Sequence, residues 1–377
     1  MSESWRRVSV SGRGADSGFT THGTARVRVR FTGGKLTGGA GYGLDVEIPH
    51  DDGETDLAHE AEADLAYAAT PRWRLTVRDT FRFSPDPSAS LVFVSPEGEV
   101  FERPEEAARQ GVDILDLRVL QVREDLFRNH LALGTGYDLT PRWSAGAEAF
   151  WTVQDSRDEI FARDADTVGG RLRTGYRLTP VDDVGLAAGA ERVDFDRAAD
   201  ATVGRLGLDW RRRLREALRL TLGAGYVAIR SASDGPRRTD GEPAARAVLS
   251  GRLVEGSWRV GLARTVSTGD GLGDVTRRTE LEVALQRRFA PPLAGLVELR
   301  RVAIRPVRGV GAVGQDVLEG TAAVSYELVR WASARLAYRY RRGEPVGTAL
   351  EVTEHAALLG LELRWPLPTL PGVVPIP

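Results

Sequence analysis

The sequence predicts an all-β fold, a single antiparallel transmembrane β-barrel of about 18 strands, with about 16 strands as the alternative. Apolar and polar residues alternate along most of the 377-residue chain, as strands with two different faces require. The alternating segments are about 10 to 17 residues long, whereas strands of soluble proteins usually have about five or six residues. Short and long connections also follow one another, as in barrels with short periplasmic turns and longer outer loops.

The composition excludes several other classes of protein. The net charge of −2 excludes a strongly basic nucleic-acid-binding protein. The chain has no cysteine, so disulfide scaffolds, cysteine-ligated metal centres and thiol nucleophiles are excluded as well. It has five histidines, and no run of about 18 apolar residues that would form a transmembrane helix. We therefore expect no cofactor, no metal site and no nucleic acid among the partners.

The alternation defines the strands one by one. A clear case is 25–31, where apolar residues alternate with Arg26, Arg28 and Arg30. The predicted strands are 22–33, 36–48, 57–69, 72–84, 122–138, 142–154, 166–179, 182–195, 199–212, 216–230, 243–254, 257–268, 275–289, 293–305, 317–329, 332–343 and 352–365. Because bacterial barrels have an even number of strands, we expect residues 5–13 to supply one more.

Three of the predicted short turns share a weak internal repeat. The pattern Tyr-x-x-Thr-Pro occurs at residues 67–71, 137–141 and 176–180. Proline in this position stops the hydrogen-bond ladder and favours a turn.

Most of the tryptophans lie near short turns or at the end of the last strand. This placement favours an aromatic girdle at one membrane interface over turns that merely tolerate aromatic residues at a sheet edge. The predicted girdle consists of Trp73, Trp143, Trp210, Trp258, Trp331 and Trp365.

These turns, together with a last strand that ends in Leu363-Arg364-Trp365, resemble those of bacterial outer-membrane β-barrel proteins. In that class, a terminal strand closing on an aromatic residue looks like the signal read by the barrel-assembly machinery. The resemblance implies the bacterial outer membrane as the location, with its lipid, lipopolysaccharide and the assembly machinery as partners. More narrowly, the chain is similar to porin-like barrels found near exopolysaccharide export systems, which implies a polysaccharide or polysaccharide-export proteins as further partners.

The two ends of the chain carry separate expectations. We expect residues 1–365 to form the barrel and residues 366–377 to form a proline-rich tail. The first seven residues are polar and charged, and they contain no apolar segment of a secretory signal. An outer-membrane location therefore requires a signal peptide that is not present in this chain.

No segment carries a convincing reaction centre. The glycine pattern at 309–314 resembles a dinucleotide-binding loop, but an alternating strand rather than a helix follows it. Asp270 and Asp274 lack the spacing of an EF-hand loop, and His59 lacks the second histidine of a zincin motif. We therefore expect no enzymatic activity. The longest loop, 84–121, either folds inward as a constriction or extends outside, and we favour the second.

The charged faces of the strands are expected to point into the barrel, because the apolar faces would meet lipid. Opposite charges on neighbouring strands then attract each other by roughly 0.2–1 kcal/mol per pair. This pattern predicts a salt-bridged wall that stabilises the barrel, a charged pore that filters solutes, or both. The predicted lumen-lining residues are Arg26, Arg28, Arg30, Asp45, Glu47, Glu60, Glu62, Asp64, Arg74, Arg78 and Arg82.

The expected function follows from the width of the barrel. About 18 strands enclose an aqueous channel unless the lumen is plugged. We therefore expect a porin-like outer-membrane channel for passive passage of polar solutes, and in a more specific version for export of an anionic polysaccharide. The alternative is a structural or adhesive outer-membrane barrel with a closed lumen. A barrel enzyme lacks a reaction centre, and a soluble β-rich protein would expose a large apolar surface to water.

Overall fold

Eighteen strands form one antiparallel sheet in which strands that are neighbours in the chain pair with each other. The computed structural model describes residues 2–10, 16–50, 55–84, 126–156, 164–196, 200–232, 239–267, 275–307, 314–345 and 352–363. The first nine strands are β1 (Ser2–Val10), β2 (Asp16–Gly33), β3 (Leu36–Pro49), β4 (Asp56–Thr70), β5 (Trp73–Ser84), β6 (Leu126–Thr140), β7 (Trp143–Ser156), β8 (Ala165–Thr179) and β9 (Asp182–Phe195). The other nine are β10 (Asp200–Arg215), β11 (Leu218–Ala232), β12 (Thr239–Leu253), β13 (Gly256–Ser267), β14 (Thr276–Ala290), β15 (Leu293–Pro306), β16 (Gln315–Val329), β17 (Ala332–Pro345) and β18 (Val352–Leu363). Within these ranges, no helix is long and apolar enough to cross a bilayer.

The sheet closes on itself through β1. Trp5 of β1 lies opposite Phe19 of β2 on one side and opposite Ala357 of β18 on the other. The ladder of backbone hydrogen bonds therefore runs around a ring, and closure of this kind leaves no free edge for another chain to pair with. The prediction of a single antiparallel barrel with 18 strands is confirmed, and the 16-strand alternative is wrong.

Several strand bounds differ from the prediction, and β12, for example, begins at Thr239 rather than at residue 243. β1 spans Ser2–Val10 rather than 5–13, and β2 begins at Asp16 rather than at residue 22. Residues 16–21 show little apolar alternation, but they pair with β1, and Thr20 also pairs with Pro49 of β3. Backbone pairing with neighbouring strands thus extends β2 where its side-chain pattern gives no signal, as the strong context dependence of strand formation allows.

A threonine organises three of the two-residue turns that connect strands at the short-turn end. Oγ1 of Thr140 accepts hydrogen bonds from the backbone N–H of Arg142 at 3.2 Å and of Trp143 at 3.0 Å. Thr70 and Thr179 accept the corresponding pair of bonds in their own turns. The Thr-Pro repeat therefore builds the same turn three times, with proline fixing the backbone angle at the first turn position.

The two faces of the sheet differ along its whole circumference. Residues paired across antiparallel strands share a face, and successive residues of one strand lie on opposite faces. The apolar face carries exposed aliphatic side chains such as Val27, Leu172 and Leu206. The charged face carries most of the arginines and carboxylates of the strands, together with most of the buried apolar residues. One buried cluster on this face, contributed by β15 to β18, consists of Leu296, Ala323, Ala337 and Leu358.

Replacing Thr140 by valine should weaken the barrel, because two backbone N–H groups lose their acceptor. We expect the free energy of unfolding to fall by about 1 kcal/mol, measured by urea titration in phospholipid vesicles. Thr140→Ser keeps the hydroxyl and is the matched control, so it should unfold close to the parent. Equal destabilisation by serine and valine would show that the hydroxyl does not organise the turn.

Candidate functional site

The candidate site is the charged face, because it holds most of the ionisable side chains of the strands. The register aligns Arg28 of β2 with Gly41 of β3, and Gly41 with Glu62 of β4, so all three share this face. The other residues predicted to line the lumen lie on the same face, namely Arg26, Arg30, Asp45, Glu47, Glu60, Asp64, Arg74, Arg78 and Arg82.

Two of the ion pairs on this face connect strands that are not direct neighbours. Arg28 pairs with Glu62 two strands away, across Gly41. Arg246 of β12 lies 3.3 Å from Asp209 of β10, across Gly223 of β11. Side chains converge on the concave side of a curved sheet and diverge on the convex side, so these contacts identify the charged face as the concave one.

Glycine on the middle strand leaves the space that such a pair needs. A Cβ atom at Gly223 would lie 2.7 Å from Oδ1 of Asp209, which is closer than real Cβ contacts come. A Cβ atom at Gly41 would lie 3.0 Å from Oε1 of Glu62. Gly41 and Gly223 therefore leave the space in which these two ion pairs form.

The charged face is exposed on one side of the barrel and buried on another. On β2 and β3, the side chains of Arg26 and Asp45 are 57% and 42% exposed and lie 3.8 Å apart. On β17 and β18, by contrast, Arg341 and Glu354 are 1% and 4% exposed. We call the β2 to β5 part of the face the exposed sector and the β14 to β18 part the buried belt.

The buried belt alternates in charge from strand to strand. Its members pair directly in the register, in the order Glu282, Arg300, Glu319, Arg341 and Glu354. A row of this kind places Arg300, Glu319 and Arg341 between charges of opposite sign, which offsets part of the desolvation cost that a lone buried ion would carry.

Further ion pairs anchor the belt to the rows next to it. Nε of Arg300 lies 2.6 Å from Oε1 of Glu280 on β14. Nη2 of Arg339 on β17 donates to Oε1 of Glu354 at 2.6 Å. These diagonal contacts between neighbouring strands connect the belt to the charged rows beside it.

Sequence reasoning missed the charged residues outside the exposed sector. They include the whole buried belt and ion pairs within the β7 to β10 part of the sheet. Arg171 of β8 lies 3.9 Å from Glu148 of β7, and Arg205 of β10 lies 2.6 Å from Glu191 of β9. The same alternation that identified the first set is present in these strands. The pairing partner of each charge, however, depends on a register that only the folded ring defines.

The predicted girdle tryptophans lie near the short turns. The indole N–H of Trp73 donates to Oγ1 of Thr135 at 2.8 Å, and that of Trp143 donates to Oγ1 of Thr174 at 2.5 Å. Tryptophan side chains bonded in this way keep the ring on the apolar face and the N–H satisfied. Trp258 and Trp331 lie in or close to their short turns, and Trp365 is outside the described residues. Trp210 lies within β10, and its indole N–H donates to Oδ1 of Asp182, next to the β8–β9 turn, at 3.2 Å.

The histidines make local contacts. Nδ1 of His59 is 2.7 Å from the Tyr42 hydroxyl, and His355 and Tyr338 form the same pair at the same distance. His130, on the charged face, contacts the hydroxyl of Thr152.

Within the described strands and turns, no group of three or more histidine, aspartate or glutamate side chains is placed to hold a metal ion. The glycine pattern at 309–314 falls outside the described residues except for Gly314. Asp270, Asp274 and all of the loop 84–121 except Ser84 also fall outside them.

Comparison with solved structures finds bacterial proteins at low sequence identity. OpdL of Pseudomonas aeruginosa shares 12% sequence identity over 97% of both chains, with a TM-score of 0.48. The FrpB iron transporter (F5-1 variant) of Neisseria meningitidis shares 11% identity over 91% of this chain and 63% of its own, with a TM-score of 0.51. OccAB4 of Acinetobacter baumannii shares 10% identity over 96% of both chains, with a TM-score of 0.47.

Neither a protein-family model nor a curated protein matches the chain in sequence. The chain spans less than two thirds of the length of FrpB. At this level of identity, the similarity to FrpB shows a shared fold.

Gly223→Ala should displace the Asp209 carboxylate and weaken its pair with Arg246. Gly136 on the charged face of β6 is the matched control, because a Cβ atom there has no neighbouring atom within 4 Å. We expect Gly136→Ala to be neutral or to stabilise by about 0.5–1 kcal/mol through lost chain entropy, and Gly223→Ala to be less stable than this control. Urea unfolding of both variants under one condition makes the comparison, and equal stabilities would contradict the role given to Gly223.

Proposed function

We propose that the protein is an outer-membrane channel for the passive passage of polar solutes. The observation that carries the proposal is a closed ring of 18 strands whose convex face is apolar and whose concave face is charged. The apolar convex face suits contact with lipid, and the charged concave face suits contact with water. In this proposal the outer-membrane lipid and lipopolysaccharide surround the barrel, and the barrel-assembly machinery inserts it.

The width of the ring supports a water-filled interior. Strands about 4.8 Å apart and tilted by about 40° close a ring of 18 at a diameter of roughly 35 Å between backbones. Side chains projecting from the wall alone do not fill a ring of this size, and barrels of 16 to 18 strands typically leave an aqueous channel.

The exposed sector is the proposed path for solutes. Its charges are open to solvent, as at Arg26 and Asp45, whereas those of the buried belt are covered. The predicted set on this sector contains six arginines and five carboxylates, so the net charge along the path is small. We therefore propose weak selectivity by charge, with local attraction of anions beside Arg74, Arg78 and Arg82.

The narrower proposal is the export of an anionic polysaccharide. It rests on the arginine rows of the exposed sector, since a chain of repeated negative charges can contact several arginines at once. A soluble anionic oligosaccharide should then reduce the ion current through the channel more than a neutral oligosaccharide of the same length does.

Conductance in planar bilayers tests the channel. We expect current through the refolded protein, and the triple substitution of Arg74, Arg78 and Arg82 by alanine should lower the permeability ratio of chloride to potassium, on the order of twofold. Leu208→Ala on the apolar face is the control and should leave the ratio unchanged. Absence of current in many insertions of the folded protein would replace the channel by a closed structural or adhesive barrel.

The lipid contact of the apolar face has its own test. Leu208 lies near the middle of β10 and is exposed on this face. Leu208→Arg should destabilise the barrel in bilayers by about 2–4 kcal/mol more than Leu208→Ala does, because arginine at mid-bilayer faces hydrocarbon. Equal stabilities of the two variants in urea titrations would place Leu208 outside the membrane.

A further inference from the structure

The outer end of the β13–β14 hairpin departs from the rest of the wall. We define the outer hairpin segment as residues 264–267 of β13 together with residues 275–278, which are Val275 and the first three residues of β14. Leu262 on the apolar face is 52% exposed, as lipid-facing residues are elsewhere. Val266, four residues further on the same face, is 2% exposed, and Val275, which directly precedes β14, is equally buried.

The charged face of β9, β10 and β11 covers Val266 and Val275, although β12 lies between these strands and β13 in the sheet. Val266 and Val275 belong to one apolar cluster with residues of β9, β10 and β11, namely Val193, Phe195, Ala201, Val203, Val227 and Ile229. By register, the cluster residues of β10 and β11 share the face of Arg205, which is the concave face. The face of the outer hairpin segment that continues the convex side of the wall therefore packs against the concave side of β9 to β11.

This contact places the outer hairpin segment inside the ring. The register shows where it leaves the wall, because β12 and β13 pair only as far as Ala245 and Arg264. Residues 239–244 of β12 pair with β11 alone, while β13 and β14 stay paired with each other up to Ser267 and Thr276. The hairpin thus separates from β12 and turns inward as a unit.

Glu242 of β12 holds the segment in this position. Its Oε2 accepts a hydrogen bond from Nε of Arg277 at 2.9 Å, and the two side chains make a second contact through Oε1. Arg264 donates to Oε2 of Glu242 at 3.3 Å. Both arginines belong to the outer hairpin segment, so one carboxylate bridges the separated strands.

Arg205 adds a contact from β10. Its Nη2 donates to the backbone carbonyl of Val266 at 3.3 Å, and its Nη1 lies 2.6 Å from Oε2 of Glu191. The segment is therefore bonded to the concave wall at β10 as well as at β12.

We infer that Glu242 is a positioning residue that keeps the outer hairpin segment inside the barrel, where the segment narrows the passage. The narrowing rests on the proposed channel function, whereas the inward position does not. Loss of the Glu242 carboxylate removes the partner of two arginines at once, and the segment then opens away from β9 to β11. Opening widens the outer end of the lumen and exposes Val266 to water.

Thiol labelling tests the position without any need for current. The chain has no cysteine, so Val266→Cys introduces a single thiol. In the folded full-length protein in detergent, we expect slow reaction with a water-soluble maleimide, and a reaction about tenfold faster when Glu242→Gln is added. Glu242→Asp keeps the carboxylate and should preserve the slow rate. Val254→Cys, in an exposed short turn, should react at the same rate with or without Glu242→Gln.

Equal labelling of Val266→Cys with glutamate and with glutamine at position 242 would overturn the role of Glu242. If Glu242→Gln does not fold, Arg277→Gln removes one partner of the same carboxylate and takes its place. In bilayers, Glu242→Gln should raise the single-channel conductance and Glu242→Asp should not. Faster labelling with unchanged conductance would refute the narrowing, and a protein without current would refute the channel while the labelling still decides the position of the segment.

Discussion

The closed hydrogen-bonded ring is the constraint on which the other features depend. Each strand is fixed in register on both sides, so no strand can shift without its neighbours. A shift by one residue would exchange the two faces. In β17, for example, it would exchange Arg339 and Arg341 with Tyr338 and Tyr340. Because an arginine that faces lipid at mid-bilayer costs about 2–4 kcal/mol, the alternation in sequence and the closure of the ring enforce each other.

The charged wall meets two different requirements on two sides of one barrel. In the buried belt, charges of opposite sign alternate from β14 to β18 and are shielded from solvent. The attraction between them stabilises this side of the wall. In the exposed sector, the pairs are open to water and glycines occupy the strand between paired charges, as at Gly41. Exposed ion pairs contribute little to stability, typically about 0–1 kcal/mol, so their charges remain available to solutes. The two interpretations of the charged face, a stabilising wall and a filter, thus apply to different strands.

The alternation of apolar and polar residues, the succession of short and long connections, the strand length and the expected even number of strands were sufficient to predict the barrel and its number of strands. They failed where the local sequence pattern carries no information about which strand a segment pairs with or packs against. The start of β2 at Asp16 depends on pairing with β1 and β3, and its own side chains give no sign of a strand. The inward turn of the hairpin is hidden for the opposite reason. Val266 continues the apolar alternation of β13 although Arg264 interrupts it, and only contacts with β9 to β12 show that the segment does not face lipid.

The inward turn also follows from the physical chemistry of the residues concerned. Had β13 and β14 continued straight along the wall, Arg264 and Arg277 would project from the apolar face without the Glu242 carboxylate, which lies on the concave side. Turning inward brings both guanidinium groups to Glu242, and Val266 and Val275 still meet apolar surface on β9 to β11. The two arginines therefore leave the convex side, where a charge is unfavourable, and reach the concave side, where they find a carboxylate. The cost is the loss of strand pairing between β12 and the outer part of β13. The outer part of the β12–β13 pairing is thus lost, and the ion pairs of Glu242 with Arg264 and Arg277 are gained.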